Sequence, residues 1–316
     1  MGQKPELPHL QSDDKLKNWH ALIIQLELID HLFNDPTINE VQLDTLNLLQ
    51  LDPILDFELF IYSLMFHYSL ECNYLNPFVS EMIQFKNSNY RLTLIHSSLN
   101  LHKRFKLFLR KMNSTPLTID NFTNNKKISQ KISALIEQKE NILITGASGS
   151  GKTTFLKTLI ATMAPLSHLV VLEDLPELAL NRPNISHFIT RESFKQNSTQ
   201  IEINQLCSYV LRINPDRLIL GEIRSNEISG LLLCMNCGIK GVMTTLHASS
   251  AHEAFNRLTL LYSIYNQQKN IDYTTIMKLI ASHFKYVIHL ENKMIKEFIQ
   301  VYSASNEGLI FDEATL

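Results

Sequence analysis

The chain has 316 residues, a formal net charge of −2, 45% hydrophobic residues and 19% charged ones. That length suits two domains, and the apolar share supplies real cores and excludes a disordered chain. The near-neutral balance excludes a strongly basic nucleic-acid footprint.

Glycine is scarce and unevenly placed. Of nine glycines, none falls between Gly2 and Gly146, and seven lie from Gly146 to Gly241. Such concentration marks backbone geometry that other residues resist. The start, MGQKPELPHLQSDDK, has no apolar core and so is no signal peptide. Glu6 breaks the myristoylation pattern after Gly2. No apolar run approaches the ~20 residues that span a bilayer; the best, Phe57 to Phe66, contains Glu58. A cytoplasmic or membrane-peripheral protein is expected. Four cysteines fit a reduced compartment. Cys234 and Cys237 form a CxxC with no second pair or nearby histidine to complete a zinc site, so GLLLCMNCG reads as a buried helix running into a glycine cap.

In chain order, Leu16, Trp19, Leu22, Ile23, Leu26, Ile29 and Phe33 predict a helix over 14–33, ended by the Asp-Pro turn of NDPT. INEVQLD reads as a strand and 54–71 as a helix. Strands at 78–85 and 90–97, joined by KNSN, form a hairpin, and 104–110 is a third strand. The polar run 113–125 reads as a linker between an N-terminal α/β domain (1–112) and a second domain (126–316). There the predicted order is helix 127–139, strand 141–145, helix 152–163, strands 168–173 and 186–190, helix 201–213, strand 216–222, helix 225–237, strand 241–247, helix 251–263, helix 272–282, and a hairpin of strands 284–290 and 295–303. Apolar strands alternating with helices predict a mostly parallel sheet covered on both faces.

Gly146-Ala147-Ser148-Gly149-Ser150-Gly151-Lys152-Thr153 matches G-x-x-x-x-G-K-[ST], between a strand and a helix. The glycines allow backbone N–H groups to wrap an anion, and the helix presents its positive end. Lys152 is expected on the β- and γ-phosphates and Thr153 on Mg²⁺, with Thr154 next to it in the helix. ATP and Mg²⁺ are the implied cofactors.

Such a loop needs carboxylates at neighbouring strand ends. VVLEDLPEL ends a strand with Glu173 and Asp174, and DRLILGE ends one with Glu222. Glu222 is the expected water-activating base and Glu173 the Mg²⁺-side carboxylate. Gly221 stands where an aspartate is common, and a side chain there would crowd the γ-phosphate. His247 ends GVMTTLH at the same edge, suited to sensing the γ-phosphate or relaying its loss.

Taken together, these segments resemble the traffic ATPases of type II and type IV secretion systems and type IV pili. GASGSGKTT looks like the family's Walker A, VVLEDLPEL its Asp box, LRINPDRLILGEIR its Gly-Glu Walker B, and MNCGIKGVMTTLHASSAHEAFNRL its His box. NDPTINEVQLD and the hairpin before KLFLRKMNSTPLTIDNF resemble the N-terminal domain. In pattern the chain is nearest to the CpaF-like branch of tight-adherence pili and to the type IV secretion ATPases near it. It departs from the family at Gly238-Ile239, where a second histidine is common. The resemblance implies a RecA-like domain after a smaller α/β domain, a homo-hexameric ring with ATP between the domains, and an inner-membrane platform or channel as partner. It also implies arginines on the phosphates: Arg110 and Arg224, with Arg91 and Arg191 as weaker candidates. No nucleic acid is expected. A RecA-like nucleic-acid motor and a nucleotide-binding ring subunit with little hydrolysis are the competing readings.

Overall fold

The computed structural model describes residues 26–43, 57–112, 117–191, 200–266, 271–305 and 308–313, apart from single positions at 28, 32, 36, 37, 39, 87, 179 and 181. The chain divides into two compact units, Met1–Thr115 and Pro116–Leu316.

The first unit contains β1 (Glu40–Leu43), α1 (Phe57–His67), β2 (Phe78–Phe85), β3 (Ser88–Ile95) and β4 (Lys106–Met112). The strands form an antiparallel sheet in the order β1-β4-β3-β2. Tyr90, Leu92 and Leu94 alternate inward along β3. Phe57, Phe60, Ile61 and Leu64 line one stripe of α1 at helical spacing. With Leu107 and Leu109 they form one core. The β2–β3 turn is shorter than KNSN: β3 starts at Ser88, and Lys86 takes a left-handed φ of 52°. Of the helix expected over 14–33, residues 26, 27 and 29–31 are helical, and 14–25 lie outside the described residues.

The second unit runs α2 (Lys126–Glu137), β5 (Ile142–Gly146), α3 (Lys152–Ala161), β6 (Leu169–Glu173), β7 (Ile185–Ile189), α4 (Ile203–Val210), β8 (Arg217–Ile223), α5 (Glu227–Asn236), β9 (Met243–Leu246), α6 (Glu253–Tyr265), α7 (Tyr273–His283), β10 (Tyr286–Glu291), β11 (Met294–Ser305) and β12 (Gly308–Glu313). Its sheet has the order β12-β11-β10-β5-β9-β8-β6-β7. The strands from β10 to β7 pair in parallel, and β11 and β12 extend the sheet antiparallel.

Strand residues split by parity between two cores. Leu143, Val170, Leu172, Leu218 and Leu220 face α4, α5, α6 and α7. Ile142, Ile144, Leu169, Val171 and Ile219 face α2 and α3. Both faces are dry, so these strands read as unbroken apolar runs. Because β9 lies between β5 and β8, the C-terminal ends of β5, β9, β8 and β6 stand side by side along one edge.

Two sequence expectations change here. The segment 113–125 is not a linker throughout: Ile119 and Phe122 are buried in the core with α2 and α3, and the Phe122 ring stands 4.8 Å from that of Phe155. Strand β12 lies beyond the last expected element.

The mid-helix glycine of α5 has a packing reason. A Cβ on Gly230 would stand 2.6 Å from Asn204 Oδ1 and 3.0 Å from Cys207 Sγ, and the Gly230 N–H donates to that same Oδ1 at 3.0 Å. In an exposed helix Gly→Ala stabilises by roughly 1 kcal/mol. Here the close approach of α4 reverses the sign, and Gly230→Ala is expected to cost about 1–3 kcal/mol. Urea unfolding of the variant beside the parent measures it.

Candidate active site

The loop from Gly146 to Gly151 is shaped by backbone that only glycine adopts freely. Gly146 has φ +150° and a Cβ there would lie 2.4 Å from the Leu290 carbonyl oxygen; Gly151 has φ +96°. Gly151 is the N-cap of α3, and no side chain caps that helix. Its end therefore keeps N–H groups for an anion. Ser148, Gly149 and Thr154 are exposed, Thr153 is half-buried, and Ser150 is buried with its Oγ unpartnered.

Lys152 is buried, and its ammonium donates to the carbonyls of Gly146 at 2.9 Å and Ala147 at 2.7 Å. Burial pushes its pKa down, partly opposed by Glu222. Its Nζ stands 3.3 Å from His247 Nδ1. His247 Nε2 lies 2.9 Å from Glu222 Oε1. That contact is ion-pair close but off the line of a hydrogen bond, so Oε1 has no hydrogen-bond donor. The other oxygen, Oε2, accepts from Arg224 Nε at 2.7 Å and lies 2.6 Å from Nη2. Three strand ends thus meet in one line: Lys152 after β5, His247 after β9, and Glu222 with Arg224 from β8.

An ammonium only donates and a carboxylate only accepts. The ring that suits both neighbours is neutral, with a lone pair on Nδ1 and a proton on Nε2. Burial, then the Lys152 charge, hold the His247 pKa below its ordinary 6.5, against the opposing pull of Glu222.

Gly221 aims Glu222. It falls at a register shift between β8 and β9, where Leu220 pairs with Thr244 and Glu222 with Thr245. The Thr245 hydroxyl donates to the Gly221 carbonyl at 2.8 Å and pins this bulge. A Cβ on Gly221 would stand 3.0 Å from Glu173 Cγ. A neighbour that keeps this position bare is therefore Glu173.

Glu173, the expected Mg²⁺-side carboxylate, is held by protein partners. It is 4% exposed, Oε2 lies 2.7 Å from His187 Nε2 of β7, and Oε1 accepts from the Leu178 N–H at 3.2 Å. Burial raises its pKa, and His187 opposes. Both oxygens are occupied within β6, β7 and the following loop. Asp174 is exposed and accepts from the Thr190 hydroxyl.

Arg110 belongs to the first unit. It is exposed on β4, between Glu40 of β1 and Arg91 of β3 in the sheet register. Arg191 is exposed and pairs through its backbone with Ile201. Sequence reasoning missed His187, whose only signal is its parallel register beside β6, and Arg257 of α6, whose charge also depresses the His247 pKa.

The type II/IV secretion system protein family matches this chain over residues 80–303. The chain belongs to that family. The matched span covers most of β2, all of β3 and β4, the phosphate loop and every strand end of the site. Among relatives, the type IV secretion system protein VirB11 of Bartonella quintana is 31% identical over 166 residues, 52% of this chain and 46% of that one. The conjugal transfer protein TrbB of Rhizobium radiobacter is 32% identical over 167 residues, 51% and 50% of the two chains. The chain spans about half the length of the relatives it matches.

Two solved structures share the fold. The pilus retraction motor PilT, with bound ADP, aligns at a TM-score of 0.54 and 16% identity over 79% of this chain and 68% of that one. The Legionella pneumophila ATPase DotB aligns at 0.52 and 20%, over 75% and 61%. The fold of this secretion-family chain is α/β, with a RecA-like P-loop domain after a smaller N-terminal unit. At Ile239, where the family often has histidine, the N–H donates to Cys234 O at 3.2 Å and the side chain packs on the core, closing a Schellman end to α5 at Gly238 (φ +94°).

The neutral-ring assignment gives a titration with a definite sign. In the nucleotide-free protein, His247 is expected to titrate below 6.5 by NMR. Removing the Lys152 charge with Lys152→Met is expected to raise that value, and Glu222→Gln to lower it further.

Proposed function

We propose that this chain is an ATPase of a type II/IV secretion or type IV pilus system, working as a homo-hexameric ring at the inner membrane. The observation that carries the reading is the line Lys152–His247–Glu222–Arg224, which joins the phosphate loop to a strand-end carboxylate.

The residues fit ATP with Mg²⁺. The uncapped α3 end, the buried Ser150 hydroxyl without a partner, and an ammonium satisfied by two loop carbonyls and one ring nitrogen, with no carboxylate on it among the described residues, all suit a bound phosphate chain. Gly146, Ser148, Gly149, Ser150, Gly151, Lys152, Thr153 and Thr154 would hold it. Among the described residues no group of three or more His, Cys, Asp or Glu stands ready to bind a metal. Thr153 would therefore hold Mg²⁺ together with phosphate oxygens, with Glu173 a contributor only if it leaves His187. Mg²⁺, when bound, supplies charge neutralisation on those oxygens.

Glu222 acts as the base. Its Oε2 is held by Arg224 and its buried Oε1 stands 2.9 Å from His247 Nε2, so the carboxylate orients a water and accepts its proton once the site opens to admit one. His247 keeps Glu222 in contact with the phosphate loop. When Lys152 turns from the loop carbonyls to phosphate, Nδ1 loses its partner, so the change registers at Glu222. Arg110 and Arg224 are the candidate arginines for charge on the transferred phosphoryl group.

The PilT match was solved with ADP and DotB is an ATPase by name, in keeping with this reading. VirB11 belongs to a type IV secretion system, which supports a membrane platform or channel as partner. No helix among the described residues is long and apolar enough to cross a membrane.

Purified protein is expected to hydrolyse ATP only with Mg²⁺, and Glu222→Gln to lower kcat about 10²–10⁴-fold while nucleotide still binds. A Glu222→Gln variant that turns over like the parent overturns the base assignment. Arg110→Ala is expected to lower kcat with binding retained, and light scattering in ATP to report a mass near six subunits; a strict monomer overturns the ring.

A further inference from the structure

One end of the first unit carries apolar side chains that the fold leaves in water. Leu75 is 92% exposed, Leu101 90%, Tyr74 78%, Leu99 62% and Phe78 53%. Phe78 opens β2, and the other four come from two loops, 71–77 before β2 and 97–105 between β3 and β4. The two loops are held side by side: the His96 N–H donates to Pro77 O at 2.7 Å, and Phe78 pairs with Ile95 in the sheet register.

Both tips are ordered in advance. Asn73 Oδ1 accepts from the N–H groups of Leu75 and Asn76, each at 2.9 Å, and Asn76 Nδ2 donates to Glu71 O. In the second loop Asn100 Oδ1 accepts from the His102 N–H, and Asn100 Nδ2 donates to Arg104 O at 3.1 Å. Little conformational entropy remains to be lost when these leucines are covered.

The rim is cationic. Residues 71–78 and 96–106 hold Lys103, Arg104 and Lys106 against one carboxylate, Glu71, in a chain whose total is −2. Lys103, Arg104 and His102 are exposed. Shape and charge together select the occupant. Leucines this bare stand proud on turn tips, so a protein partner would need matching pits, whereas a fluid lipid interface accepts protrusions of any outline. Leucine and tyrosine at the tip with lysine and arginine behind them is the order in which a side chain meets acyl chains first and anionic headgroups second.

We infer that this end of the first unit is a membrane-docking surface, in which Tyr74, Leu75, Leu99 and Leu101 enter an anionic lipid leaflet while Lys103 and Arg104 meet its headgroups. The inference rests on the membrane-peripheral part of the proposed function. Its test involves no nucleotide, so its failure leaves the ATPase reading standing, and an active Glu222→Gln leaves this one standing.

The test is co-sedimentation of the full chain with phosphatidylcholine vesicles, with and without phosphatidylglycerol. The parent is expected to pellet with the anionic vesicles and to be released by salt. Leu75→Ser/Leu101→Ser, on side chains outside the core, is expected to weaken binding about tenfold or more with unchanged circular dichroism. Lys103→Glu/Arg104→Glu is expected to remove the preference for phosphatidylglycerol. A parent that binds neither vesicle, or a double-serine variant that binds as the parent does, overturns the inference. So does a double-serine variant that keeps vesicle binding but changes the oligomer mass, which would assign the surface to a second copy of this chain.

Discussion

The site depends on where a buried lysine finds its compensation. Lys152 is taken out of water at the start of α3, and among the described residues no carboxylate touches it. Two loop carbonyls and a histidine nitrogen are what it has. An ammonium desolvated to this degree is costly, which is why its pKa is depressed. The same arrangement leaves a charge ready for an anion. His247 stands between that charge and Glu222, so the phosphate loop and the proposed base are electrostatically joined before any ligand arrives.

The sheet order makes this possible. A chain that placed its strands in sequence would not put the end of β9 between those of β5 and β8. Its insertion there sets His247 within 3.3 Å of the lysine and 2.9 Å of the glutamate. The Gly221 bulge then turns Glu222 toward the histidine, and the space it needs is bounded by Glu173, which β7 holds through His187. Each strand end is thus fitted against the next, and a change at one edge is felt along the row.

Much of this was legible in the sequence. The phosphate loop, the three strand-end residues and the two-sided parallel sheet follow from local pattern: glycine spacing, apolar runs, and polar residues where runs stop. What was not legible depends on pairs distant in the chain. Glu173 and His187 are fourteen residues apart, and only the parallel register of β6 and β7 brings them together. The reason for Gly230 lies on another helix, at Asn204 and Cys207. Residues 113–125 read as polar linker because Ile119 and Phe122 are thinly spread among Asp, Asn and Thr, yet those two side chains are enough to bind the part around them to the core.

The central claim is that Lys152 and Glu222 are coupled through His247, and a double-mutant cycle on unfolding free energy tests it most directly. Lys152→Met, Glu222→Gln and their combination would be measured in the parent and in a His247→Ala background. The account predicts an interaction energy above about 0.5 kcal/mol in the parent that falls, once the ring is gone, to the smaller remainder left by the direct Lys152–Glu222 attraction. Additivity in the parent, or coupling that survives His247→Ala unchanged, would contradict it.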